Sequence, residues 1–117
     1  MTKASITAMN APIQPLRVPE SWMVHYNQFR EFDLDNDTDP ETWKLRKQTL
    51  WQGQCERRDR LMDLGWYPEG ELEGTFRLQI YEGDFTGTLL FEFESHTRLE
   101  IVDQMELVMI SVMTGAL

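Results

Sequence analysis

The chain has a single cysteine, Cys55, among its 117 residues, so it cannot form an internal disulfide. Its first segment, Met1–Asn10, also lacks the long apolar core of a secretory signal peptide. Small proteins of oxidising compartments commonly rely on disulfides, whereas cytoplasmic proteins do without them. We therefore expect a protein that works in the cytoplasm.

Long apolar runs are missing as well. The most apolar stretch, Leu107–Met113, is seven residues long and includes Ser111. A membrane-spanning helix needs roughly 20 predominantly apolar residues. No membrane segment is predicted.

Positive charge is scarce, because 11 Lys and Arg stand against 20 Asp and Glu, for a formal net charge of −9 at pH 7. Binding to nucleic acid usually draws on clustered cations opposite phosphates. The stacking surface that Arg57, Arg58 and Arg60 could form with Trp51 and Trp66 is opposed by this overall field. We expect no direct nucleic-acid partner, and a basic protein is the natural counterpart.

The motifs of the common enzyme classes are also absent. The chain has no Gly-rich phosphate loop, no Gly-x-Ser-x-Gly elbow and no His-Glu-x-x-His helix. The two histidines, His25 and His96, stand at no zinc-binding spacing to each other or to Cys55. The expectation is a binding protein rather than an enzyme, with no cofactor and no metal.

What the chain does have is apolar bulk for one core, with 41% apolar residues that include four Trp and six Phe. A length of 117 residues suits one domain and is too short for two independent cores. Pro12, Pro15 and Pro19 punctuate the first part of the chain. We expect an extended N-terminal arm over residues 1–20 and a single α+β domain over residues 21–117.

Alternation of apolar and polar residues predicts five strands, over Trp22–Phe32, Gln48–Gln54, Arg58–Tyr67, Thr75–Glu82 and Leu89–Glu94. The last two are joined by a hairpin loop flanked by Gly83 and Gly87 and are expected at the centre of the sheet. Pro68–Gly70 predicts a turn, and Asp39-Pro40-Glu41 predicts the start of a short helix over about Pro40–Lys47. The third segment has an alternative, a helix that carries Leu61 and Leu64 on one face and ends at Gly65.

Apolar residues at three- and four-residue intervals predict a C-terminal helix over Arg98–Met113. Thr97 and Glu100 form a capping-box pattern before it, and Gly115 suits the position just after its end. The fold class is therefore α+β, an antiparallel sheet of about five strands covered by a C-terminal helix. Because this helix is apolar nearly all round, a second stripe could contact another copy, which makes a homodimer a secondary possibility.

Acidic residues are concentrated between Glu31 and Glu41, which hold six carboxylates and no base. Asp33, Asp35 and Asp37 match the first, third and fifth positions of a calcium-binding loop. However, Thr38 stands where such a loop needs glycine, and Lys44 stands where a bidentate glutamate should close it. We expect a solvated or partner-facing acidic loop rather than a calcium site.

Three segments together are similar to a known class of proteins. They are Trp22-Met-Val-His-Tyr-Asn27, the loop Asp33–Asp39, and Arg57-Arg-Asp-Arg-Leu-Met-Asp-Leu-Gly-Trp-Tyr-Pro-Glu69. They resemble segments of the small immunity proteins encoded beside Rhs-type and contact-dependent polymorphic toxins of bacteria, over roughly residues 15–113. The resemblance implies a cytoplasmic bacterial protein that binds a cognate toxin domain and blocks its active site, with no catalytic residue to carry over.

Under this hypothesis the acidic loop supplies long-range attraction to a basic toxin domain, and exposed aromatic side chains supply the anchors of the interface. The candidate partner-binding residues are Asp33, Asp35, Asp37, Asp39, Glu41, Trp51, Trp66, Tyr67 and Glu69. Each of these aromatic residues has an alternative place in the core.

Two other functions remain open at this point. The first is an acidic interaction module that mimics nucleic acid or regulates an unrelated enzyme. The second is a small enzyme with a carboxylate site built from Asp59, Asp63 or Glu69, which a concave pocket holding a metabolite or metal would support.

Neutralising Asp33, Asp35, Asp37 and Asp39 together to asparagine should slow association with the partner and flatten its salt dependence, because fewer charges steer the encounter. Stopped-flow association rates at two ionic strengths measure both effects, and thermal unfolding checks that the variant is folded. Unchanged association kinetics would remove this loop as the steering element.

Overall fold

The computed structural model describes residues 11–34 and 45–117. Their elements are β1 (Met23–Asn27), β2 (Trp51–Cys55), a 3₁₀ helix (Glu56–Arg58), β3 (Arg60–Tyr67), β4 (Thr75–Glu82), β5 (Leu89–Ser95) and α1 (Arg98–Met113). The strands form one sheet in the order β1-β2-β3-β4-β5, and every neighbouring pair is antiparallel. The predicted α+β class, an antiparallel sheet followed by a C-terminal helix, is confirmed.

The first predicted strand is too long, because turns limit it at both ends. Before it, the Trp22 amide donates to the Pro19 carbonyl, 3.0 Å away. After it, the Asn27 side-chain oxygen accepts the Phe29 amide at 3.1 Å, a local bond that competes with the strand ladder. Only residues 23–27 therefore pair with β2.

The segment with two possible structures is a strand, β3, and the helical alternative is wrong. Leu64 lies opposite Trp51 on one side and Leu78 on the other. Gly65 permits a close approach of chain, since a β-carbon there would lie 1.9 Å from the Gln48 carbonyl oxygen. This glycine serves sheet packing and does not end a helix.

The expectation that β4 and β5 form the centre of the sheet is also wrong. Short turns join β2 to β3, β3 to β4 and β4 to β5, so each of these strands lies beside the one before it in the chain. Consequently β3 is central and β5 is an edge strand. The bounds of β4 and the predicted turns at 68–70 and 83–87 agree with the structure.

Helix α1 covers one face of the sheet and has the predicted bounds. Its end is a Schellman motif, in which the Gly115 amide donates to the Val112 carbonyl and the Ala116 amide to the Ser111 carbonyl. Gly115 has φ +86°, a conformation that favours glycine. Its predicted position just after the helix is confirmed.

The start of α1 differs from the predicted capping box. Thr97 is the N-cap residue, but its side chain makes no capping bond. The Ser95 hydroxyl takes over the role, because it accepts the Thr97 amide at 3.0 Å and donates to a Glu100 carboxylate oxygen at 2.5 Å. A residue at the end of β5 thus ties the strand to the helix.

The core lies between α1 and the sheet. Each of the three inner strands contributes fully buried side chains, and α1 contributes Ile101, Met105 and Met109. Trp22 packs at the edge of this core, and its indole N–H donates to the Met109 carbonyl of α1 at 3.2 Å. Cys55 is a free and fully buried thiol that belongs to the same cluster.

The described part of the N-terminal arm runs along the domain. Ile13 forms a bridge with Arg30, and the Gln14 amide donates to the Phe29 carbonyl at 2.8 Å. Leu16 and Val18 pack on the core. The predicted helix over 40–47 lies mostly outside the described residues, and Arg46 and Lys47 within it are not helical.

The outer side of α1 remains apolar in the described structure. Leu99, Leu107 and Ile110 are each more than half exposed, whereas Val108 is buried. No helix formed by residues 11–34 and 45–117 has the length and apolarity needed to cross a membrane.

Replacing Leu78 with alanine should lower the free energy of unfolding by about 2–5 kcal/mol, because a fully buried leucine leaves a cavity when it is truncated. Leu107→Ala is the matched control, since this side chain is 57% exposed and should lose less than about 0.5 kcal/mol. Chemical denaturation measures both, and equal effects would contradict the core assigned to the sheet.

Candidate partner-binding surface

No helix or strand among the described residues covers the face of the sheet opposite α1, although the loop at Gln48 crosses it at Gly65, and we call it the open face. Directly paired residues point to the same side of a sheet. The strand register therefore brings one side chain from each strand into a row across this face: Tyr26, Gln52, Asp63, Gln79 and Glu92. The sheet thus presents a polar row on the side away from its core.

Hydrogen bonds hold this row in place. The Gln52 side-chain Nε2 donates to an Asp63 carboxylate oxygen at 3.1 Å, and the Gln79 side-chain Nε2 donates to a Glu92 carboxylate oxygen at 2.6 Å. The Tyr81 hydroxyl, from the next row, donates to the Gln79 side-chain oxygen Oε1 at 3.1 Å. The polar groups are therefore ordered before any partner arrives.

Asp63 is the most buried charged group on this face. The residue is only 5% exposed, although it sits on the uncovered side of the central strand. Loss of solvation raises the pKa of its carboxyl group above the ordinary value of 3.8, and the hydrogen bond from Gln52 opposes this in part. The ionised form of Asp63 therefore lowers the stability of the folded protein.

Arg77 organises the neighbouring row. Its guanidinium donates to a Glu94 carboxylate oxygen at 2.9 Å and lies 4.3 Å from the centre of the Tyr67 ring. Burial raises the pKa of the Tyr67 hydroxyl above 10.0, the negative charge of Asp63 adds to this, and Arg77 opposes it. Because the ion pair is partly exposed, it contributes at most about 1 kcal/mol to stability, and its main effect is to orient the side chains.

The two candidate tryptophans are not available on the surface. Trp51 is fully buried and Trp66 is 1% exposed. Trp66 packs edge-on against Phe76 with ring centres 5.0 Å apart, and its N–H donates to the Glu71 carbonyl at 2.7 Å. Both residues are core residues, and the prediction that they anchor a partner is corrected.

The described acidic residues predicted to bind the partner do not lie together on one surface. Asp33 is exposed and forms a 2.8 Å ion pair with Arg98 at the start of α1. Asp35, Asp37, Asp39 and Glu41 lie outside the described residues, so their steering role stays a prediction. Glu69 is exposed in the turn after β3, where its carboxylate accepts the Gln48 amide at 3.1 Å.

The carboxylates of the enzymatic hypothesis do not converge. Asp59 precedes β3, Asp63 lies within it and Glu69 follows it. Since a strand rises about 3.3 Å per residue, the ends of this strand are roughly 23 Å apart. In the part of the chain that the structure describes, no three His, Cys, Asp or Glu side chains are grouped so that they could hold a metal ion.

Of the predicted site residues, Tyr67 is the one that reaches the open face. Sequence reasoning overlooked Tyr26, Gln52, Gln79 and Arg77 as site residues. The signal for two of them was present, because the alternation in Thr75–Glu82 places Arg77 and Gln79 opposite the apolar side chains. The alternation does not tell whether another helix or strand covers that side, and among the described residues none does.

Comparison with known proteins found no relative: no family model, no curated protein and no solved structure matches the chain.

Asp63→Asn should raise the melting temperature at neutral pH, because it removes a buried charge and can keep the Gln52 hydrogen bond. Because the pKa of Asp63 is higher in the folded state than in the unfolded chain, ionisation of this carboxyl lowers the free energy of unfolding of the wild-type protein as pH rises from 3.8 through the folded-state pKa. The gain from Asp63→Asn should therefore shrink as pH falls toward 3.8. Thermal unfolding across this pH range measures it.

Asp84→Asn is the matched control for this experiment. Hydrogen bonds from the Thr86 hydroxyl and amide lower the pKa of the Asp84 carboxyl, so its ionised form stabilises the fold above 3.8. This variant should lose stability at neutral pH and approach wild type on acidification. If both variants changed the melting temperature at neutral pH in the same direction, the burial assigned to Asp63 would be contradicted.

Proposed function

We propose that this chain is an immunity protein that binds a cognate, basic toxin domain in the bacterial cytoplasm and neutralises it by occluding its active or substrate-binding surface. The observation that carries the proposal is the open face, an uncovered sheet surface whose side chains are ordered in advance. The similarity of three sequence segments to polymorphic-toxin immunity proteins indicates the class of partner.

The residue types of the open face suit a protein interface. Tyrosine, arginine and methionine are enriched at interfaces, and here Tyr26 and Met23 are exposed while Tyr67, Tyr81 and Arg77 are half-buried. Half-buried aromatic side chains lose little conformational entropy on binding, because their neighbours already restrict them. Such a surface can bind without prior rearrangement.

Charge around β4 and β5 favours a basic partner. Across β4, its hairpin and β5, the carboxylates of Glu82, Asp84, Glu92 and Glu94 are exposed, and Arg77 is the single cation. The whole chain carries −9. An acidic inhibitor gains fast capture of a basic toxin from this field, and a toxin that acts on nucleic acid needs such a basic surface.

The acidic surface also supports a second candidate, an interaction module that regulates another enzyme or mimics nucleic acid. The two functions differ in the partner. A toxin domain harms cells that lack this chain, whereas a regulated housekeeping enzyme does not.

Affinity capture with the tagged chain from its source cells, followed by a moderate-salt wash and mass spectrometry, should recover one basic toxin domain. Co-expression of the chain should then restore growth of cells that produce this domain. Recovery of a housekeeping enzyme would favour the regulatory function, and failure to restore growth would contradict neutralisation.

Two double variants test whether the open face is the binding surface. Tyr26→Ala with Tyr81→Ala should weaken retention of the captured domain at least about tenfold, because truncation of interface aromatics typically costs 1 kcal/mol or more each. Leu107→Ala with Ile110→Ala on the exposed side of α1 is the control and should bind as wild type. Loss of binding in the control alone would place the interface on the helix.

A further inference from the structure

Strand β5 ends the sheet with an unpaired backbone. One side of it pairs with β4 from Phe76 to Tyr81, and the other side pairs with no described strand. On an edge strand, alternate residues direct their N–H and C=O groups outward, where another strand can bind them. The outer side of β5 therefore offers a row of backbone donors and acceptors.

This edge has few of the usual devices that prevent strand addition: its charges are those of Glu92 and Glu94, and its one register shift lies at the Leu89 end. Residues 89–95 contain no proline and no lysine, and the pairing with β4 is regular from Phe91 to Ser95. The opposite edge is less suitable, because β1 is only five residues long and its register shift, between Val24 and Tyr26, lies in the middle of the strand. The shift in the β4–β5 pair, between Ile80 and Tyr81, lies near one end of β5. Of the two described edges, β5 is the better template.

The side chains of β5 define what an added strand should carry. Phe91 and Phe93 point to the core side and remain half-exposed at the rim of the sheet. Glu92 and Glu94 point to the open face, with side chains 41% and 44% exposed. Cross-strand neighbours of opposite charge stabilise a sheet, and so do neighbouring apolar pairs.

We propose that the free edge of β5 accepts an extended segment of the partner, with basic side chains on the open face and apolar side chains on the core side. This inference rests on the proposed function, because it describes how the toxin domain is held. Backbone hydrogen bonds supply affinity in this mode, and the alternating side chains supply specificity. The added strand would extend the open face by one strand.

A second copy of the chain fits this edge less well. Antiparallel pairing of two β5 strands with their faces aligned sets Glu92 opposite Glu94 or opposite its own counterpart. Like charges placed directly opposite each other destabilise a sheet. The charge pattern thus favours a basic partner segment over self-association.

A capped peptide of alternating lysine and valine, seven residues long and beginning with lysine, serves as the probe. In the full-length protein it should slow amide hydrogen exchange in β5 and shift the amide NMR signals of residues 89–95 most strongly. The same peptide methylated on its three central backbone nitrogens keeps its charge but loses donors on both edges. It should bind at least tenfold more weakly.

Charge is tested with isosteric variants. Glu92→Gln with Glu94→Gln should weaken peptide binding roughly three- to tenfold, since two stabilising cross-strand charge pairs are lost. Glu20→Gln with Glu56→Gln removes the same charge from exposed sites outside β5 and should change binding less than twofold. Thermal unfolding confirms that both variants are folded.

Three results would overturn the inference: equal binding of the methylated peptide, exchange protection outside β5, or equal loss in the two charge variants. Concentration-dependent dimers that protect the β5 amides from exchange without the peptide would also contradict it. The peptide experiment needs no toxin, so it separates failure of this inference from failure of the proposed function. If growth is not restored but the peptide adds to β5, the neutralisation proposal alone fails.

Discussion

Helix α1 rests on one face of the sheet, and the side chains of both form a single buried cluster in which Met105, Met109, Leu64 and Leu78 are fully enclosed. Burial of each such side chain stabilises the fold by about 1.5–3 kcal/mol. The contact also divides the sheet into two chemically different sides. No described helix covers the other side, and its polar side chains suit contact with solvent.

The open face meets this requirement with side chains that hydrogen-bond to one another. Gln52, Asp63, Gln79 and Glu92 line up because the antiparallel register of four strands places them opposite each other. Asp63 is buried by its neighbours, so the surface carries a charge that is costly to hold.

The same division of the sheet explains the proposed mode of binding. Since β5 is the last strand of a meander, its outer backbone pairs with no described strand, and its alternating phenylalanine and glutamate side chains continue the pattern of the two faces. A basic partner segment could use the edge and the open face together. The hydrophobic stripe on the outer side of α1, with Leu99, Leu107 and Ile110, is separate from this surface.

The sequence by itself determined the fold class, the bounds of β4 and α1, and the turn glycine Gly115, because these depend on periodicity and local backbone conformation within a few residues. Tertiary structure alone decided the strand order, the edge position of β5 and the burial of Trp51 and Trp66, since each depends on which distant segment packs beside it. The ends of β1 and the cap of α1 were misjudged for a related reason. Asn27 and Ser95 offered side-chain bonds that competed with the predicted ones, and only the packed chain shows which bond forms.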